Sequence, residues 1–243
     1  MTNRALVDSS DISFPDASTW GTNPRPKLAV FDFDGTLVDQ RGGWLLLQEL
    51  FGTREQGKAL SERYREGELT FAEWCDENAT LLDARGVDKT HIDRAASAVK
   101  LTRGADALLE TIADANVPFG TVSAGVTNLQ DVLAEFEPAF VRGNEIRFDD
   151  SETITGVDAG VGPNEKDDVL ERICRDRGIT TTDVFYVGDS HTDEEAFEVA
   201  GTSVLFDPDD RIDDTVSETV DAVVDARDLR LVKRLFVTTV GRE

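Results

Sequence analysis

Asp32 and Asp34 flank Phe33 just beyond an apolar run, Leu28–Phe31, in the stretch KLAVFDFDGTLVD. On extended chain, residues i and i+2 point the same way, so one strand end offers two carboxylates to one point in space. Two further apolar runs end in small and acidic residues. VPFGTV (117–122) delivers Ser123, Ala124 and Gly125, and DVFYVG (183–188) delivers Asp189, Ser190, His191, Thr192 and Asp193. Lys166 opens a helical stretch just before the last of these runs. In open parallel sheets, ligands gather outside the carboxyl ends of the strands. The expectation is that Asp32, Asp34, Asp189 and Asp193 converge there with Lys166.

Clustered anions need a cation. An all-oxygen carboxylate site suits Mg2+, which takes carboxylates, waters and substrate phosphate oxygens. Four aspartates, one divalent ion and one lysine leave a single negative charge, which vanishes when one Asp is protonated. A neutral carboxylic acid is what general-acid catalysis requires. The site therefore suits phosphoryl transfer, in which positioning and charge neutralisation carry most of the catalysis.

The elements that must hold these residues follow from the patterning. Residues 1–26, with Pro15, Pro24 and Pro26, read as a loose extension or a surface strap. A strand is expected at 28–33, then helices through 40–100, almost without strand signal. Within these, Thr70 and Glu73 form a capping-box pattern, and Phe71, Trp74, Cys75, Asn78, Leu81 and Leu82 fall mostly on one face. Trp44, Phe71 and Trp74 are expected to fill the core of this helical part. Helices at 104–115, 127–136, 165–177 and 193–200 alternate with strands at 117–122, 183–188, 202–206 and 221–224, before a C-terminal helix. Thr127 and Gln130 give a second capping-box pattern, and 140–159 reads as a β-hairpin excursion. Alternation of this kind predicts an α/β fold, a doubly wound parallel sheet covered on both faces. The expected organisation is an N-terminal extension (1–26), an α/β core (27–39 and 101–243) and an inserted helical cap (40–100).

Composition bounds the rest. The 243 residues carry 49 acidic and 25 basic side chains, a formal charge of −24. Nucleic-acid backbones and anionic membranes would be repelled over most of this surface, so neither is an expected partner. Asp outnumbers Glu and Arg outnumbers Lys, a pattern that resembles salt-loving archaeal proteins. No run approaches the ~18 apolar residues of a membrane span and no secretory stretch opens the chain, so a cytoplasmic protein is expected. Cys75 and Cys174 are too few and too far apart for a Cys-based metal site and read as small buried thiols.

Taken in order, DFDGT (Asp32–Thr36), VSAG (Val122–Gly125), Lys166 and GDSHTD (Gly188–Asp193) resemble the motifs of the haloacid dehalogenase-like hydrolase superfamily. The resemblance covers residues 27–235, and the helical insert containing GELTFAEW looks like the cap of its phosphoserine phosphatase branch. It implies a Mg2+-dependent hydrolase of small phosphomonoesters. By the same resemblance Asp32 is the nucleophile that forms an aspartyl-phosphate, and Asp34 is the general acid and then base. The carboxylates of Asp32 and Asp189, with the backbone carbonyl of Asp34, are the metal ligands. Ser123, Ala124, Gly125 and Lys166 are phosphate contacts near a helix N-terminus, and Asp193 is a support for Lys166. His191 is read as a variable loop position and His91 as a residue without a role.

Phosphoserine-specific members of that branch carry a Glu for the substrate ammonium and an Arg for its carboxylate. Matching the motifs places Arg41 at the first position and Asn78 at the second. Arg41 repels an ammonium and attracts an anion, so a different small phosphomonoester, one with a second anionic group, is expected. Phosphoserine phosphatase proper and a phosphomutase of the same superfamily are the alternatives. A haloacid dehalogenase needs neither Asp34 nor Asp189. Oligomeric state is not legible in the sequence.

Overall fold

The computed structural model describes residues 11–14, 24–208, 212 and 214–241. The expectation for the N-terminal extension falls largely outside these residues. In the part described, β1 (Ile12–Ser13) pairs antiparallel with β8 (Ala222–Val224) at the sheet edge.

Between them run β2 (Leu28–Phe31), β3 (Phe119–Val126), β4 (Phe140–Phe148), β5 (Ile154–Ala159), β6 (Val184–Gly188) and β7 (Thr202–Phe206). They form one sheet ordered β1-β8-β7-β6-β2-β3-β4-β5, parallel from β8 through β4 and antiparallel at both ends. The hairpin β4–β5 is therefore no excursion. β4 extends the parallel sheet beside β3, from Gly120↔Phe140 to Val122↔Arg142.

Helices cover both faces because alternate strand residues point to opposite sides. Ala29, Phe31, Phe185 and Val187 face α5 (Ala105–Asp114) and α9 (Leu229–Val240) through Leu108, Ile112, Val232 and Phe236. Leu28, Val30, Val184 and Tyr186 face α6 (Lys166–Arg177) and α7 (Glu194–Val199) through Leu170, Ile173 and Phe197. A short α8 (Asp214–Thr219) adds Val216 to that second layer. No helix of the described residues is long and apolar enough to cross a membrane.

The insertion after β2 contains α1 (Gly43–Leu50), α2 (Arg54–Arg65), α3 (Phe71–Asp83) and α4 (Lys89–Ala98). The Thr70–Glu73 capping box forms as patterned. The one expected at Thr127 does not. Thr127–Phe136 is a 3₁₀ segment without a side-chain cap; the Thr127 hydroxyl donates to the Asn144 carbonyl, and Gln130 accepts from the Thr121 hydroxyl at 2.7 Å. Tertiary partners took both side chains from the local cap. The insertion is tied to the β4–β5 hairpin: the Val157 amide donates to Asp76 at 2.8 Å and Lys89 N–H to the Glu152 carbonyl at 3.0 Å. Its two connections to the sheet run side by side, with Asp39 N–H on the Lys100 carbonyl and Thr102 N–H on the Leu37 carbonyl. Both cysteines are buried and free.

Candidate active site

The central strands β2, β3 and β6 end side by side, and their C-terminal residues meet as expected. Asp32 leaves β2 with its amide still bonded to the Val187 carbonyl at 2.9 Å, so the chain stays in register until its side chain reaches the edge. One carboxylate oxygen each from Asp32, Asp189 and Asp193 lies within 4.8 Å of the others, and all three side chains are buried. Lys166, with no exposed surface, sits 3.1 Å from Asp32 Oδ1 and 2.6 Å from Asp193 Oδ1.

Asp193 is fully engaged. Its Oδ1 accepts from Lys166 and from the Tyr186 hydroxyl, both at 2.6 Å; its Oδ2 accepts from the amides of Asp189 at 3.2 Å and Ser190 at 3.1 Å. It therefore holds Lys166 and the Asp189 turn in place, leaving Asp32 and Asp189 to receive an ion. Asp32 Oδ1 is a buried oxygen without a hydrogen bond, although the Lys166 ammonium stands beside it. Asp189 has only long contacts among the described residues, the Thr36 hydroxyl at 3.4 Å from Oδ1 and the Arg41 guanidinium at 3.4 Å from Oδ2. Hard, under-satisfied oxygen donors of this kind fit Mg2+.

Charge in this pocket shifts titrations. Burial first, then the Asp32 charge, pushes Asp34 up to about 7; the Gly43 amide, at 2.8 Å from its Oδ2, works the other way. Burial, Asp32 and Asp193 push Asp189 up to about 8. Burial also raises Asp32, against the pull of Lys166. Burial disfavours the Lys166 ammonium, but Asp193 and Asp32 overcome it and raise its pKa. The pocket thus holds a fixed cation, a nucleophile candidate beside it and, in Asp34, an acid protonated near neutrality.

Ser123, Ala124 and Gly125 leave the ladder at a break in β3–β4 pairing between Val122 and Val126. Asn144 fixes that break: its side-chain amide donates to the Ala124 carbonyl at 2.8 Å, and its oxygen accepts from the Gly160 amide at 2.9 Å. A Cβ at Gly125 would collide with the Asp34 carboxylate. The segment that follows is 3₁₀ and no α-helix begins there.

Sequence reasoning missed Tyr186, Asn144, Asp207 and Arg227. Arg227 donates to the carbonyls of Gly35 at 3.1 Å, Val38 at 3.0 Å and Asp39 at 2.8 Å, and to Asp207 at 2.8 Å, so it clamps the turn that follows Asp34. Tyr186 shares a strand face with Val184, which is legible; that its hydroxyl meets Asp193 is not. Arg41 lines the cavity above the carboxylates with its guanidinium on Asp207 at 2.7 Å and near Asp189 at 3.4 Å. Asn78 is buried, accepting from Gln48 at 2.7 Å and donating to the Trp74 carbonyl at 2.8 Å. His191 lines the cavity; His91 closes the N-terminal cap of α4 with Asp88.

The cavity, about 330 Å³, is floored by Asp32, Asp34, Ser123 and Asp189. Trp44, Phe71 and Trp74 line its other side; Trp44 is buried in the core as expected, and Phe71 and Trp74 are half-buried, packed against that core while lining the cavity.

Residues 29–198 match the haloacid dehalogenase-like hydrolase model. The chain belongs to this family. Among curated relatives of this hydrolase is the phosphoserine phosphatase of Archaeoglobus fulgidus, 31% identical over 206 residues, 82% of this chain and 57% of that protein. The chain thus spans little more than half of that relative's length. The phosphoserine phosphatase of Halobacterium salinarum is 28% identical over 204 residues, 81% of this chain and 93% of that protein. These relatives place the hydrolase in the phosphoserine phosphatase-like branch. The fold is shared with a solved phospho-aspartyl intermediate analogue of phosphoserine phosphatase, with a TM-score of 0.69, 24% identity and coverage of 86% of this chain and 98% of that chain.

Proposed function

We propose that this hydrolase is a Mg2+-dependent phosphomonoesterase that works through an aspartyl-phosphate on Asp32 and acts on a small phosphorylated metabolite. The observation that carries the reading is the convergence of Asp32, Asp189 and Asp193 within 4.8 Å beside a fully buried Lys166. An Asp32 oxygen attacks phosphorus as the bond to the ester oxygen breaks, and Asp34 gives its proton to that oxygen. Water then attacks the aspartyl-phosphate, Asp34 takes the water's proton, and Asp32 is released. An acid that titrates near 7 suits both halves of this cycle. The carboxylates of Asp32 and Asp189, with the Asp34 carbonyl, would hold Mg2+, which when bound neutralises charge on the carboxylates and the phosphoryl oxygens. Ser123, with the amides of Ala124 and Gly125, is the phosphate cradle; Lys166 shields the nucleophile from behind, with Asp193 and Tyr186 fixing it.

The insertion, residues 40–100, acts as a cap on this cleft, and the paired linkers around 38–43 and 100–104 are its hinge. Phosphoserine is the substrate that the names of the relatives suggest. Against it stand Arg41, where an ammonium partner is expected, and Asn78, which is buried and bonded to Gln48. The aspartate-rich surface supports work at high salt in the cytoplasm, since the Debye length shrinks to ~3 Å at about 1 M salt.

The test is phosphate release from a panel of small phosphomonoesters with Mg2+ or EDTA, at about 0.1 M and about 2 M KCl, with denaturing quench to trap labelled phosphate on the protein. Asp32→Asn is expected to abolish release and trapping while the circular dichroism spectrum is unchanged. Turnover by that variant, or an isomerised sugar phosphate in place of inorganic phosphate, would overturn the reading.

A further inference from the structure

The aromatic wall of the cavity is not explained by phosphate chemistry. Trp44 from α1 and Phe71 and Trp74 from α3 form one cluster: Phe71 stacks on Trp74 at 5.6 Å and 21°, and Trp44 meets Trp74 edge-on at 5.8 Å and 75°. Tyr64 of α2 backs both α3 rings, at 6.0 Å from Phe71 and 6.2 Å from Trp74. The Trp74 indole N–H donates to Ser61 Oγ at 3.3 Å, which fixes the ring plane. The interior of the helical insertion is filled by Leu47, Leu60, Cys75, Ala79 and Leu82 together with Trp44, and Phe71 and Trp74 pack against it while lining the cavity. Two large rings are thus held rigid yet only half-buried, facing the cavity that the catalytic carboxylates floor. Apolar surface kept open in this way is a binding surface.

Charge on the wall is equally selective. Among the described residues, every carboxylate that lines the cavity, Asp32, Asp34 and Asp189, belongs to its floor. The helices contribute none, in a chain with 49 acidic side chains. Their one charged lining residue is Arg54, whose nearest ion-pair partner is Glu49 at 3.7 Å, with both side chains about half exposed. An ammonium carried by the substrate body finds no counter-ion among these residues and meets Arg54 and Arg41 instead. A buried, unpaired cation is disfavoured, whereas an apolar body gains contact with rings already in place.

We infer that the Trp44–Phe71–Trp74 wall is a substrate subsite for a planar, apolar body without positive charge, so that the site prefers phosphate esters of arylalkyl-type alcohols to those of amino acids. The inference rests on the phosphomonoesterase reading above and deepens it.

The experiment compares kcat/KM with Mg2+ for 2-phenylethyl phosphate, ethyl phosphate and phosphoserine, all esters of primary alcohols with comparable leaving groups. 2-Phenylethyl phosphate is expected to exceed both others by about tenfold or more, the discrimination a hydrophobic pocket achieves. Any smaller ratio, or phosphoserine in first place, overturns the subsite. Trp74→Ala is expected to bring the ratio to ethyl phosphate close to one, and Trp74→Phe to keep most of it; an unchanged ratio in Trp74→Ala counts against the subsite. Binding is read without turnover by tryptophan fluorescence, since two of the three tryptophans stand on this wall. 2-Phenylethylphosphonate should produce a saturable change at about tenfold lower concentration than ethylphosphonate. This titration and the wild-type ratio decide the matter even if Trp74→Ala does not fold. No phosphate release from any ester with the fluorescence selectivity intact sinks the phosphomonoesterase reading and leaves the subsite. Turnover of all three esters without selectivity sinks the subsite alone.

Discussion

Replacing Asp34 by asparagine should inactivate the hydrolase and stabilise it, and the stabilisation should depend on pH. Asp34 titrates at about 7 in the folded chain instead of its ordinary 3.8, because burial and the Asp32 charge disfavour the carboxylate. At about 1.4 kcal/mol per pKa unit, that difference is worth at most about 4 kcal/mol. Asp34 is half-buried and its cavity side meets water, so solvent screening brings the expected figure to about 2–3 kcal/mol. The folded pKa lies above the unfolded one. The favourable contribution of the protonated group is therefore full below pH about 4 and is lost as the pH rises through about 7. The asparagine side chain of the variant does not titrate, and its amide oxygen can still accept from the Gly43 amide as Asp34 does at 2.8 Å.

Urea unfolding of wild type and Asp34→Asn, in EDTA between about pH 4 and about pH 8, should show the difference shrinking towards the acid end and vanishing only near pH about 4. Above neutrality the variant should be more stable by about 2–3 kcal/mol. Its kcat should fall by about 10²–10⁴ with Mg2+, the contribution of a positioned general acid. A stability difference that does not vary with pH, or a variant less stable than wild type at pH about 8, would refute the electrostatic account of Asp34.

Lys166→Met leaves Asp32 and Asp193 facing each other in a dry pocket without the ammonium now 3.1 Å and 2.6 Å from them. Removing one partner of a buried ion pair costs about 3–5 kcal/mol, readable as a lower urea midpoint, and no phosphate release is expected. Gly125→Ala drives a Cβ into the Asp34 carboxylate and within 3.2 Å of Ser123 Oγ. The Asp34 side chain can swing aside, so the urea midpoint should hardly move, whereas kcat/KM should fall by about 10², as small misplacements of reacting groups do.

The sequence was most legible where chain chemistry is local. Apolar strands that end abruptly in Asp or Ser mark the carboxyl edge of a parallel sheet, and Asp32, Ser123 and Asp189 stand there because that edge is common to β2, β3 and β6. The capping box at Thr70 formed because nothing else competes for Thr70 and Glu73, both on the exposed surface. The one at Thr127 failed because Asn144 and Thr121, close only in the folded chain, offered those side chains better partners. The same distance in sequence hid Arg227, which reaches back across about 190 residues to the Gly35 and Val38 carbonyls. The aromatic stripe on α3 was visible, but a helical face shows only that rings share a side. Whether that side meets a core or a cavity is settled by what the rest of the chain places opposite it.

The distribution of cations shows how a strongly acidic protein can keep such a site. Bases are scarce, 25 against 49 acids, yet three of them are fixed at the carboxyl edge of the sheet. Lys166 neutralises Asp32 and Asp193, Arg41 joins Asp189 to Asp207, and Arg227 joins Asp207 to the carbonyls of the turn after Asp34. None is a loose surface charge that salt would strip away. Lys166 has no exposed surface, and both arginines are held by several short contacts at once. Exposed pairs farther apart than a Debye length are screened at high ionic strength, whereas buried pairs are screened much less. The surface charge can therefore change with the solvent to which the protein is adapted while the electrostatics of the pocket, and with them the raised titration of Asp34, stay as the fold sets them.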